Sequence, residues 1–95
     1  MEYDIQEVRR AARQVGNAAR ALSDISNGDL AKIKADIPGN LRGEAADALS
    51  EVMTDLLSDT RKLTSGLEQI SRELDAFAER LKKADEAAKK AFESR

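Results

Sequence analysis

Apolar residues recur at alternating steps of three and four along the second half of the chain, between Ala46 and Ala91. This spacing is typical of a long helix that packs against another helix along one seam. No proline interrupts the pattern, so it predicts one helix over about residues 41–92. The predicted seam residues, which we expect to lie between helices of a hairpin or a dimer, are Leu49, Met53, Leu56, Leu63, Leu67, Ile70, Leu74 and Phe77.

A first helix is predicted over about residues 4–36, because its apolar positions follow the same steps of three and four. Asp4 and Glu7 have the spacing of a capping box, which makes Asp4 the expected N-cap. The residues Ser-Asn-Gly-Asp at 26–29 interrupt the pattern. Either the helix ends near Ile25 and a short helix follows, or one helix continues in a weakened form, and we favour the continuous helix.

A turn is predicted at about residues 37–42. Pro38 lacks a backbone N–H and disfavours helical geometry at Ile37, so the first helix should end before it. Asn40 is a favourable N-cap for the second helix. Gly43 has no Cβ, which would let the two helices approach closely. Two long helices joined at this point predict an antiparallel hairpin.

The expected fold class is all-α, with a single helical-hairpin domain over residues 1–95 that dimerises into an elongated four-helix bundle. Val52 and Leu57 lie beside the seam and widen the apolar stripe at the start of the second helix. A wider stripe needs more than one neighbour, and a two-helix chain of this size has too little core to be stable alone. A homodimer and a heterodimer both remain open.

The composition argues against several kinds of function. The net charge is −2 and both signs are mixed along the chain, so we expect no nucleic-acid partner. The chain has no His and no Cys, which removes imidazole bases, thiol nucleophiles and the usual zinc ligands. The carboxylates are spread over outer helix faces, and no phosphate-binding loop is present. We therefore expect no enzyme activity, no cofactor, no metal and no small-molecule substrate.

Two further features of the sequence concern membranes and export. No stretch approaches the ~18 consecutive apolar residues that a membrane span needs, so we expect no membrane span. The first residues, Met-Glu-Tyr-Asp, are acidic and no apolar segment follows them. An ordinary cleavable signal peptide is therefore not expected.

The turn sequence Leu41-Arg42-Gly43, followed by several alanines, resembles that of a known family. It is similar to the WXG family, the small ESAT-like proteins that bacterial type VII secretion systems export. Gly43 stands at the family's glycine and Leu41 at its tryptophan. The end of the chain fits a broad form of the family's export tail, although the first position lacks the family's aromatic ring. The residues that fit this tail are Leu81, Asp85, Ala88 and Phe92.

This resemblance implies a secreted substrate or a co-secreted helical adaptor that acts by protein–protein binding. The implied partner is a second copy, a related helical-hairpin protein, or the helical N-terminal region of a larger effector. The secretion ATPase is a further implied partner. The protein would reside in the bacterial cytoplasm before export and leave without a cleavable signal peptide. The alternative function is a purely structural coiled-coil module or spacer with no role in secretion.

Overall fold

The computed structural model describes residues 2–94, and all regular secondary structure in these residues is helical. Helix α1 spans Glu2–Asp24, and a π-helical segment, Ile25–Leu30, joins it to α2, Ala31–Asn40. After a short turn, α3 spans Glu44–Glu93. The all-α class expected from the sequence is therefore confirmed for the described part of the chain.

The described residues form two compact units. The terminal unit combines residues 2–17 with residues 67–94, and the turn unit comprises residues 18–66. In the terminal unit α1 and α3 run antiparallel, and the Arg9 guanidinium lies 3.1 Å from the Glu79 carboxylate. The expectation of one hairpin domain over the whole chain stays a prediction.

Small side chains bring the two helices of the terminal unit together. The Oγ of Ser71 on α3 donates a 2.9 Å hydrogen bond to the backbone carbonyl of Ala12 on α1. One turn further along α1, a Cβ added to Gly16 would lie only 3.2 Å from the same Oγ. Ala12 and Ala78 are fully buried. Alanine, serine and glycine therefore form the closest approach of the two helices.

The core of the turn unit is apolar near the turn and partly polar away from it. Ile37 on α2 packs with Ala46 and Met53 on α3, and all three are buried. Further along α3, the buried hydroxyls of Thr60 and Thr64 each donate to the carbonyl four residues earlier in the helix. The helix itself satisfies these hydroxyls, so their burial leaves no unpaired polar group.

The interruption at residues 26–29 is a π-helical segment within a continuous helix, as favoured from the sequence. Ser26 is buried and donates a 2.9 Å hydrogen bond to the carbonyl of Leu22. The wide π turn adds one residue, so Leu30 follows Ser26 on the inner face of the helix. Without the extra residue, the alternating steps of three and four would place Asp29, and not Leu30, on the inner face after Ser26. The extra residue keeps the carboxylate of Asp29 in solvent.

The predicted end of the first helix is wrong, because α2 continues through Pro38 to Asn40. The N–H of Leu41 donates to the carbonyl of Ile37 at 2.9 Å, which closes the last turn. Pro38 removes one hydrogen bond from this turn. Burial of the Ile37 side chain against Met53 holds its backbone in the helix and offsets the local preference against it.

The predicted start of the first helix is also wrong. The helix already includes Glu2, so Asp4 lies inside the first turn and is not the N-cap. Glu7 accepts a 2.6 Å hydrogen bond from Arg10 on the same helix. Asp4 and Glu2 both lie where the positive end of the helix dipole favours acidic residues. The Asp4–Glu7 spacing thus marks a favourable first turn without forming a capping box.

Candidate functional site

Helix α3 carries two apolar stripes, and only one of them packs within residues 2–94. In the turn unit, Met53 and Leu57 are buried against the rest of the unit. In the terminal unit, Leu67 and Leu74 are half-buried. The other members of the predicted seam are exposed over more than a third of their surface. These exposed members are Leu49, Leu56, Leu63, Ile70 and Phe77.

Within residues 2–94, three of the eight predicted seam residues are therefore buried or half-buried and five are exposed, so the seam as a whole stays a prediction. A second set of α3 residues, spaced by seven, is also buried or half-buried: Leu57, Thr64, Ser71 and Ala78. Of these, Ser71 bonds directly to α1. Apart from Leu57, which lies beside the predicted seam, this set was not predicted, because its other three members are small or polar. Its recurrence at every seventh residue is the signal that could have identified it.

The turn unit presents a contiguous group of exposed aliphatic side chains, which we call the pairing face: Leu49, Val52, Leu56 and Leu63. Their exposed fractions are 38%, 60%, 43% and 57%, respectively. Residues three, four and seven apart lie on one side of a helix, so the four side chains form one stripe. An isolated exposed leucine is ordinary, but a stripe of this kind is typical of a surface that another protein covers.

The terminal unit exposes a shorter part of the same repeat. Ile70 is 46% exposed and Phe77 is 44% exposed. The Arg80 guanidinium lies over the Phe77 ring, 5.7 Å from its centre, which is within the range of a cation–π contact. Arg80 covers one side of the ring and leaves the remainder in solvent.

The turn comprises Leu41, Arg42 and Gly43, four residues later than predicted at its start. Asn40 does not cap α3, since its Nδ2 donates to the carbonyl of Asp36 on its own helix. Gly43 has a φ of +74°, and its carbonyl accepts the first hydrogen bond of α3 from the N–H of Asp47. The predicted close approach at Gly43 is wrong, because a Cβ there would meet nothing within 4 Å. The positive φ is what requires glycine.

Leu41 lies at the rim of a shallow groove beside the turn. Its side chain is 40% exposed, so it does not form a buried wedge between the helices. The groove has a volume of about 320 Å³. Its lining residues are Ile33, Asp36, Ile37, Asn40, Leu41 and Leu49.

The four residues matched to the export tail lie on one face of α3, since they follow steps of four, three and four. Leu81 and Asp85 are half-buried within the terminal unit. The Lys89 ammonium lies 3.5 Å from the Asp85 carboxylate, an ion pair within one helical turn. Ala88 is exposed, and Phe92 is 76% exposed. This face of α3 is therefore half-buried at Leu81 and Asp85 and exposed at Ala88 and Phe92.

Beside the tail, α1 and α3 border an open groove of about 510 Å³ that the sequence did not predict. Glu2, Ile5, Gln6 and Arg9 line it from α1, and Lys82, Asp85, Glu86 and Lys89 line it from α3. Acidic and basic groups alternate around it, which gives it no strong preference for an anion or a cation. None of the helices over residues 2–94 has an apolar stretch that could cross a bilayer.

These observations define a small all-helical protein in which antiparallel helices pack together and leave an apolar stripe of the longest helix open to solvent. The chain belongs to the WXG100 family, since the family described as proteins of 100 residues with WXG matches residues 1–86. This match confirms the family that the turn and the tail indicate. No curated protein and no solved structure matches the chain.

Proposed function

We propose that this protein is an ESAT-like component of a bacterial type VII secretion system, exported as a substrate or as the helical partner of one. It acts by pairing with a second helical hairpin to form a four-helix bundle. Membership of the WXG100 family supports this class of function. The partner is a second copy, a related hairpin protein or the helical N-terminal region of an effector.

The pairing face is the observation that carries the proposal. Within residues 2–94, five of the eight predicted seam residues of α3 are more than a third exposed, although the other three are buried or half-buried. Covering the exposed parts of four aliphatic side chains contributes on the order of 4 kcal/mol. That amount is comparable with the whole stability of a small domain. Pairing therefore supplies a large part of the stability that a lone hairpin of this size lacks.

The tail supports the export part of the proposal. Phe92 is a large apolar side chain on a helical segment rich in lysine, and folding of residues 2–94 leaves 76% of it in solvent. Asp85, by contrast, is half-buried beside Lys89. We assign Phe92 as a residue that the secretion machinery contacts and Asp85 as one that holds the tail helix in place. The secretion ATPase is the proposed reader of this tail.

An export assay tests the proposal. Phe92→Ala should abolish release into the medium in a strain with an active type VII system, and deletion of the secretion ATPase should do the same to the parent chain. Glu93→Gln, one position further and off the tail face, is the matched control and should be exported normally. Release that continues without the ATPase, or that ignores Phe92→Ala, would contradict the proposal. In that case the structural-spacer function would gain support.

A further inference from the structure

The first third of α3 has a charge pattern that folding does not explain. Residues 44–60 contain five acidic residues and no basic residue. The five are Glu44, Asp47, Glu51, Asp55 and Asp59. Elsewhere in α3 both signs alternate, so the segment that carries most of the pairing face is also the segment with a single sign of charge.

Three of these carboxylates form a row whose last two members, Asp55 and Asp59, border the pairing face. Glu51, Asp55 and Asp59 follow each other at steps of four, so they lie in a row along α3. Asp59 lies one helical turn from both Leu56 and Leu63 of the pairing face. We call this row the acidic border.

The acidic border has no partner within the described residues. None of its three carboxylates forms an ion pair or accepts a side-chain hydrogen bond in residues 2–94, and all three side chains are exposed. Like charges four residues apart destabilise a helix. The row therefore lowers the stability of the isolated hairpin, and cations of another molecule beside it would make it favourable.

A second copy of the chain is a poor source of those cations. If the same face of a second copy covered the pairing face, residues 44–60 of that copy would bring five further carboxylates, and its Arg61 and Lys62 would lie only at the end of the face. Among the arginines of α1, Arg9 is paired with Glu79 and Arg10 with Glu7. Repulsion between the carboxylates of two copies would weaken self-pairing and so favour a different partner.

We propose that the pairing face binds a helix of a different protein, whose own apolar stripe is bordered by lysine or arginine at the positions facing Glu51, Asp55 and Asp59. This inference rests on the proposed function, since it specifies the partner for the same face. The face selects a heterotypic complex, and the acidic border disfavours self-pairing.

A charge-reversed copy of the chain provides the test. The variant Glu51→Lys, Asp55→Lys, Asp59→Lys keeps the apolar face and gives it a basic border. Parent and variant, each checked for helix content by circular dichroism, are labelled and titrated against each other and against themselves. Three exposed ion pairs amount to about a tenfold change in Kd. The mixed pair should therefore bind about tenfold more tightly than parent with parent at low salt.

Salt and a matched variant separate this effect from others. In about 1 M NaCl, where the screening length falls to about 3 Å, the preference for the mixed pair should disappear. Glu68→Lys, Asp75→Lys, Glu86→Lys makes the same change in net charge away from the border and should give no such preference. Self-pairing of the parent as tight as the mixed pair would overturn the inference and leave the proposed export function standing. Absence of any association of the mixed pair would also overturn it.

Discussion

Ser71 on α3 donates a hydrogen bond to the backbone carbonyl of Ala12 on α1, across the interface of the terminal unit. This bond differs from those of Thr54, Thr60 and Thr64, whose hydroxyls donate to carbonyls of α3 itself. It ties one side chain to one position on the opposite helix. The bond therefore fixes which residues of the two helices lie opposite each other.

Replacement of Ser71 by alanine tests this role. An intramolecular hydrogen bond of this kind contributes about 1 kcal/mol net, whereas alanine gains up to about 0.7 kcal/mol of helix propensity over serine. Ser65→Ala, an exposed serine of α3 without a hydrogen bond, measures the propensity gain alone. In urea unfolding at one fixed concentration, Ser71→Ala should be less stable than Ser65→Ala by about 1 kcal/mol. Equal stabilities would show that the bond contributes nothing.

The π-helical segment predicts an unusual tolerance of deletion. Removal of Gly28 should convert Ile25–Leu30 into ordinary helix while Leu30 stays on the inner face next to Ser26. We expect a folded chain with at least the parent's melting temperature, because a glycine also leaves the helix.

Deletion of the exposed Ser58 from α3 is the matched control. No π turn lies nearby to absorb the loss, so every later residue of the turn unit rotates by about 100° relative to Leu57. Thermal melts followed by circular dichroism should show a cooperative transition for the Gly28 deletion and a broad or absent one for the Ser58 deletion. Loss of cooperativity in both deletions would refute the assigned role of the π segment.

The turn gives a prediction about backbone conformation. Gly43 has a φ of +74°, a region that costs an L-residue about 1–2 kcal/mol. Gly43→Ala should reduce the free energy of unfolding by that amount, although a Cβ there would contact nothing. Gly39→Ala, in helical geometry on α2 and equally uncrowded, should be neutral or stabilising by up to about 1 kcal/mol. If both variants unfold at the same denaturant concentration, the positive φ is not what selects glycine.

The helical class and the family could be predicted from the sequence because each rests on a long pattern. The apolar repeat of α3 covers many turns, and no single residue can reverse it. The predicted ends of the helices rested on one or two residues each. At the end of the first helix, side-chain packing outweighed the local backbone preference. Pro38 argued for a helix end, but the burial of Ile37 against Met53 carried the helix to Asn40.

The division of the predicted seam could not be predicted, because its packed and its exposed members are alike apolar in the sequence. Which of them pack on the first helix depends on side-chain size across the interface. Gly16 and Ala12 leave room for Ser71, so the helix pair closes on the smaller residues and leaves Ile70 and Phe77 outside. The resulting open stripe is the feature on which the proposed pairing rests.

The melting temperature as a function of chain concentration tests that pairing most directly. If pairing through the exposed stripe stabilises the hairpin, the melting temperature of the parent should rise from low micromolar to several hundred micromolar chain. The rise should be steeper for a mixture of the parent with its charge-reversed copy. The melting temperature of the variant Leu56→Gln, Leu63→Gln should not rise with concentration, whereas that of Ser58→Gln, Ser65→Gln should rise as it does in the parent. A cooperative melting temperature that is independent of concentration in the parent and in the mixture alike would contradict the pairing.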